Sequence, residues 1–125
     1  MSAATTADNC NHARWRPGLA GGHYESFWLR ANHPTRPLAF WIRYTLFSPR
    51  GRPQDAIGEL WCIWSDGEAR SLTAVKREVP IAECHFAGDR FDIAVADACL
   101  QQGALAGWAQ AAGHRIEWDL HYGGG

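Results

Sequence analysis

The stretch GHYESFWLRANHPTRPLAFWIRYTLFSP, residues 22–49, decides how this chain is read. Two runs rich in aromatic and β-branched residues, 22–31 and 38–48, flank the loop NHPTRP, whose two prolines prevent a continuous β-ladder. The runs therefore predict two β-strands joined by a turn. Both runs carry aromatic and charged side chains on both faces, whereas a strand with one dry face and one wet face alternates cleanly. We therefore expect both faces of this hairpin to be covered.

The rest of the chain continues the strand-and-turn pattern. Further strands are predicted, at spacings of about ten residues with turn residues between them, at 56–65, 70–79, 90–98, 104–111 and 114–122. The segment ALAGWAQA at 104–111 also suits a helix, but Gly103, Gly107 and Gly113 would each cost a helix interior about 1 kcal/mol. The sequence thus predicts an all-β fold, an antiparallel up-and-down meander that forms a lipocalin-like barrel or a strongly bent sheet.

Composition and charge restrict the classes of partner and compartment. The chain has 125 residues, enough for one domain, and its formal net charge of -1 argues against a nucleic-acid partner. We expect a flexible N-terminal arm at 1–20, a β-barrel-like domain at 21–122 and a glycine tail at 123–125. No secretory signal, no membrane span and no CxxC pair among the four cysteines is visible. These features predict a cytoplasmic protein.

Polar residues inside the apolar runs are the candidates for chemistry. Histidines and cysteines lack zinc-site spacing, so we predict no metal, and no nucleophile elbow is present. Glu25, Arg43 and Glu59 each interrupt an apolar run. One interpretation is that they face solvent or form cross-strand ion pairs, Glu25 with Arg43 and Arg43 with Glu59. The other places Glu25 or Glu59 inside a mostly apolar barrel as a proton donor.

Seven tryptophans are a large number for a chain of this length, and all but Trp15 lie in periodic segments. They either fill a core or form the flat walls of a cavity for an elongated apolar ligand. The candidate ligand-binding residues are Trp28, Trp41, Arg43, Tyr44, Trp61 and Trp108. Trp61 and Trp64 have opposite parity and must lie on different faces of their strand. Tryptophans on an outer face are expected to be partly exposed and to promote self-association.

The run GHYESFWLRANHPTRPLAFWIRYTLFSPRGRPQDAIGELWCIWSDGE, followed by AVKREVPI, resembles the carotenoid 1,2-hydratase (hydroxyneurosporene synthase)-like family. The resemblance spans roughly residues 21–122. It implies a lipocalin-type, calycin-like β-barrel with an apolar ligand site, and an activity that adds water to a terminal double bond without a cofactor. Family members typically have two lipocalin-like halves, and this chain is long enough for one. A second lipocalin-like domain or a homodimer is therefore an expected partner.

Three functions follow from these observations. The first is a lipocalin-like module that binds a hydrophobic small molecule of the isoprenoid or lipid class. The second is a cofactor-independent hydratase or lyase on the same scaffold, with Glu25 or Glu59 as the proton donor. The third is a β-domain that docks a protein partner through an exposed aromatic face.

Overall fold

The computed structural model describes residue 13 and residues 21–123 of the chain. The first four strands, β1 (His23–Asn32), β2 (Leu38–Ser48), β3 (Ile57–Asp66) and β4 (Ser71–Pro80), form one antiparallel sheet in that order. A short 3-10 turn, Pro53–Asp55, leads into β3. We call this the first sheet.

The second sheet is a meander of shorter strands. It contains β5 (Cys84–Phe86), β6 (Asp92–Val95), β7 (Ala98–Gln101), β8 (Ala104–Ala111) and β9 (His114–His121), each antiparallel to its neighbour. Among the described residues there is no α-helix, and neither sheet closes on itself. The prediction of an all-β antiparallel meander is therefore confirmed, in the form of two sheets. None of the helices in the part of the chain described could span a membrane.

The predicted strand at 90–98 is confirmed over Asp92–Val95 as β6, but it ends earlier than predicted because the chain turns at Ala96 into β7. Ala96 adopts a φ of 53°, in the left-handed region that an alanine seldom occupies. The turn contains no glycine or asparagine, the residues that commonly adopt this conformation, so the sequence does not indicate it. The short strand β5 lies between the predicted strands at 70–79 and 90–98, where the sequence predicts no strand.

The segment 104–111 is a strand, as predicted, and Gly107 has a packing reason there. A Cβ at this position would collide with the Cβ of Ala98 on β7 and lie 2.9 Å from Cζ2 of Trp118 on β9. The glycine therefore makes room for the Trp118 ring. This ring in turn packs edge-on against Tyr44 of the first sheet, with centroids 6.3 Å apart.

The core lies between the two sheets, and the Tyr44 hydroxyl connects them. Tyr44 is fully buried, and its hydroxyl donates to the Cys99 carbonyl at 2.7 Å and accepts from Trp118 Nε1 at 3.0 Å. Burial raises the pKa of this phenol well above its ordinary value. Aliphatic side chains surround it, among them Ile42, Leu46, Leu60, Val95, Leu100 and Leu105.

Most of the predicted N-terminal arm at 1–20, including Trp15, lies outside the described residues, as does the end of the glycine tail at 123–125. Ala13 is the exception. Its side chain is buried, and its amide donates to the carbonyl of Ala87, the residue after β5, at 3.0 Å. This one residue of the predicted arm therefore packs on the second sheet.

Candidate functional site

The first sheet has two chemically different faces. Its inner face packs on the second sheet and includes the buried Tyr44 and Leu60. Its outer face carries the side chains of opposite parity, which include exposed Tyr24, Trp28 and Leu72. The sequence predicts that both faces of the first hairpin are covered. On the inner face, the core between the two sheets provides this cover.

A row of alternating aromatic and cationic residues crosses the middle of the outer face. Strand register places Trp28 opposite Arg43, Arg43 opposite Trp61, and Trp61 opposite Lys76. The Lys76 ammonium lies 4.7 Å from the centroid of the Trp61 ring. The Arg43 guanidinium lies 4.7 Å from the Trp41 ring and 5.8 Å from the Trp61 ring. These distances are within the range of cation–π attraction.

The predicted ion pairs of Arg43 with Glu25 and Glu59 are wrong. Among the described residues no ion pair joins Arg43 to a carboxylate, and its buried Nε has no hydrogen-bond partner. The register explains why: Glu59 lies opposite Thr45, and Glu25 lies opposite Leu46 on the inner face. The aromatic rings of the outer face take the place of the carboxylates around the guanidinium.

The two candidate acids have other partners and lie on opposite faces of the first sheet. The Glu59 carboxylate pairs with Lys76 at 3.1 Å, and Lys76 also reaches Glu78 at 3.3 Å. The hydrogen bond that Lys76 donates to the Glu59 carboxylate is the main reason that the pKa of Lys76 is raised. Glu25, on the inner face, hydrogen-bonds His23 Nε2. The structure therefore brings Glu59, but not Glu25, next to the predicted aromatic residues.

A cleft opens between the sheets at the edge where β2 and β3 face β9. Its volume is about 380 Å³, and its walls are mostly apolar. Aromatic and aliphatic side chains form them: Phe40, Ile42, Trp64, Ile116, Trp118 and Leu120. Glu117 and Asp119 also border it. Trp64 is 38% exposed at this cleft, which is unusually high for a tryptophan beside a core.

A second, smaller groove continues from the cleft along the end of β2. It measures about 180 Å³ and shares Phe40 and Trp64 with the cleft, while Leu38 and His33 line its far side. The shared rings make the two cavities neighbours along one apolar surface. The surface suits an elongated molecule better than a compact one.

Cys62 lines the cleft but is not a reactive thiol. Burial raises the pKa of Cys62 to about 11, so the sulfur is protonated at neutral pH. The side chain therefore acts as part of the apolar wall. No cluster of metal-binding side chains is present in the described part of the chain.

Trp108 lies apart from the other predicted residues, in a charged cluster on the second sheet. The guanidinium groups of Arg77 and Arg115 lie 3.7 Å and 4.3 Å from the centroid of its ring. Its Nε1 donates to Asp97 at 3.2 Å, and Asp97 also accepts from Arg77 at 2.6 Å. Mainly because of Arg77, the pKa of Asp97 is below its ordinary value. This cluster fastens β4 to β8.

Of the six predicted ligand-binding residues, the structure brings four together on the outer face: Trp28, Trp41, Arg43 and Trp61. Tyr44 lies in the core, and Trp108 lies on the second sheet. The aromatic residues of the cleft, Phe40, Trp64 and Trp118, were not among the candidates. The opposite parity of Trp61 and Trp64 was the signal that could have pointed to the cleft.

No family model, curated protein or solved structure matches this chain. The resemblance to the carotenoid 1,2-hydratase-like family therefore stays an expectation drawn from the sequence.

Proposed function

We propose that this chain binds a hydrophobic small molecule in the cleft between its two sheets. The observation that carries the proposal is the cleft itself: about 380 Å³, bounded by Phe40, Trp64 and Trp118 and by aliphatic side chains. Ligand sites of proteins usually have volumes of roughly 300–1,000 Å³ and mostly apolar walls. The cleft is therefore large enough for one small ligand.

The shape of the apolar surface favours an isoprenoid or lipid chain. The groove beside Leu38 extends the cleft past Phe40 and Trp64, so a flexible chain could contact both cavities. Two antiparallel sheets around an apolar interior are consistent with a lipocalin-like arrangement, in which ligands lie between strands. That arrangement remains our interpretation of the two sheets.

The acids predicted from the sequence give no support to hydration or elimination chemistry in this cleft. Neither Glu25 nor Glu59 lines the cleft; Glu59 is ion-paired to Lys76 on the outer face. A proton donor must reach the reacting atom within hydrogen-bond distance. The sequence-predicted acids do not meet this requirement for a ligand in the cleft.

The test uses a fluorescent fatty acid, cis-parinaric acid, titrated into the purified chain. The emission of the probe rises when it leaves water, and the titration gives a Kd. In Trp64→Arg a charge replaces an apolar wall, and we expect the Kd to rise at least about tenfold, because burying a large apolar side chain is worth about 1.5–3 kcal/mol. Trp28→Arg is the matched control, since Trp28 is exposed on the opposite face of the same sheet.

The expected result is saturable binding that Trp64→Arg weakens and Trp28→Arg leaves unchanged. Absence of saturable binding, or equal weakening by both variants, would contradict the proposed site. Titration with geranylgeraniol as a competitor then compares the isoprenoid class with the fatty-acid class.

A further inference from the structure

The outer face of the first sheet is ordered in five cross-strand rows. Each row takes one residue from each of β1, β2, β3 and β4 in register. In strand order the rows are Tyr24–Phe47–Ile57–Pro80, Ser26–Thr45–Glu59–Glu78, Trp28–Arg43–Trp61–Lys76, Arg30–Trp41–Ile63–Ala74 and Asn32–Ala39–Ser65–Leu72. The aromatic–cation row is the middle one. Because the rows are in register, the outer face can be tested for chemical complementarity with the same face of a second copy.

We propose that a second copy of this chain docks on this outer face, around a two-fold axis that runs parallel to the strands between β2 and β3. Such an axis places each row against the same row of the second copy in reversed strand order, because a two-fold contact is isologous. Residues of β1 then face β4 of the second copy, and residues of β2 face β3. The proposal concerns a different surface from the cleft and is independent of the ligand.

The middle row is complementary to its own reversal. Trp28 faces Lys76 of the second copy, and Arg43 faces Trp61 of the second copy. All four contacts across the row are therefore between an aromatic ring and a cation. Such contacts strengthen when they are removed from water. Arg43, which already lies over Trp41 and Trp61 of its own chain, gains a third ring.

Two of the four flanking rows add further complementary contacts. In the row of carboxylates, Ser26 faces the exposed Glu78, so a hydroxyl donor meets a carboxylate acceptor; Thr45 is buried in its own chain beside Ser26 and takes no part in the contact. In the row that begins with Tyr24, every contact is apolar. These matches arise from three independent strand registers and from a single choice of axis.

Other arrangements fit the pattern less well. A two-fold axis perpendicular to the strands would place Arg43 against Arg43 and Lys76 against Lys76, and like charges repel. A nucleic acid would meet Glu59 and Glu78 beside the cations, and the chain carries a net charge of -1. The mixed signs on this face therefore favour a second copy over a polyanion.

The area of the face is sufficient for a weak dimer. Four strands about 4.8 Å apart and ten residues of about 3.3 Å each outline roughly 19 by 33 Å, or about 600 Å² per copy. Two copies would bury about 1,200 Å², the lower end of the range for specific interfaces. A reversible dimer in rapid exchange is the expected state.

Sedimentation velocity over a range of concentrations tests the association, and charge variants at Ala74 test the axis. Ala74 is exposed, and the proposed axis places it against Arg30 of the second copy. Ala74→Glu should tighten the dimer and Ala74→Lys should weaken it, each by about two- to fivefold, as an exposed ion pair is worth up to about 1 kcal/mol. Gln110→Glu and Gln110→Lys, on the exposed side of β8, are matched controls and should leave the Kd unchanged.

Trp28→Ala removes the ring that faces Lys76 and should weaken the dimer about tenfold, since two such contacts are lost per dimer. Circular dichroism checks that each variant keeps its strands. A single monomeric species at every concentration would overturn the proposal. A dimer with the same Kd in Ala74→Glu and Ala74→Lys would also overturn it, because the chains would then associate through another surface. So would mass spectrometry of the purified chain that finds a different protein bound at this face.

Discussion

Replacing Tyr44 by Phe is the change that most sharply tests how the two sheets are held together. The substitution keeps the buried ring and removes one hydroxyl, which donates to the Cys99 carbonyl at 2.7 Å and accepts from Trp118 Nε1 at 3.0 Å. Both partners belong to the second sheet. Each buried polar group left without a partner costs about 1–3 kcal/mol. Two such groups give an expected loss of roughly 2–6 kcal/mol in the free energy of unfolding.

Urea denaturation followed by tryptophan fluorescence measures this loss, with the slope of the transition showing whether both variants unfold in the same way. Tyr122→Phe is the matched control, because the Tyr122 hydroxyl also donates to a backbone carbonyl, that of Gln101, at 2.9 Å. That bond is accessible to solvent, so water replaces it and the expected cost is below about 1 kcal/mol. A Tyr44→Phe cost equal to that of Tyr122→Phe would refute the tether between the sheets.

Three further results are expected. Gly107→Ala should lower the melting temperature by several degrees more than Gly21→Ala, because an added Cβ collides with neighbouring strands at Gly107 and meets nothing within 4 Å at Gly21. The pKa of Asp97 is lowered in the folded state, so its pair with Arg77 stabilises the fold at pH values above the ordinary pKa of 3.8. In denaturation experiments at acidic pH, the difference in stability between the wild type and Asp97→Asn should therefore shrink as the pH falls below 3.8. Because burial raises the pKa of Cys62 to about 11, iodoacetamide at pH 8 should label Cys62 in the native chain far more slowly than in urea, as peptide mass spectrometry would report.

Strand positions were predictable from the sequence because their periodicity and turn residues are local signals. The boundaries of β2 match the prediction of 38–48, and β8 matches 104–111. The turn at Ala96 was not predictable, since an alanine in the left-handed region is stabilised by tertiary packing rather than by its own preference.

The sequence pointed to the aromatic and cationic residues of the outer face, but not to their partners and not to the residues of the cleft. Alternation along β1, β2 and β3 correctly separates Trp61 from Trp64. The partners of Arg43 depend on cross-strand register. A shift of one residue would move every side chain of the strand to the opposite face, and the register cannot be read from one strand alone. The cleft depends on how β9 approaches β2 and β3, a long-range contact for which the sequence carries no local signal.

Indole N–H resonances in a two-dimensional ¹H–¹⁵N spectrum test the central claim, ligand binding in the cleft, most directly. Six tryptophans lie in the described part of the chain, and their side chains occupy three separate environments: the cleft, the outer face and the second-sheet cluster. With geranylgeraniol added, we predict that the resonances of Trp64 and Trp118 shift in a saturable way. The resonances of Trp28, Trp61 and Trp108 should stay in place. Shifts confined to Trp28 and Trp61, or no saturable shift at Trp64, would contradict binding in the cleft.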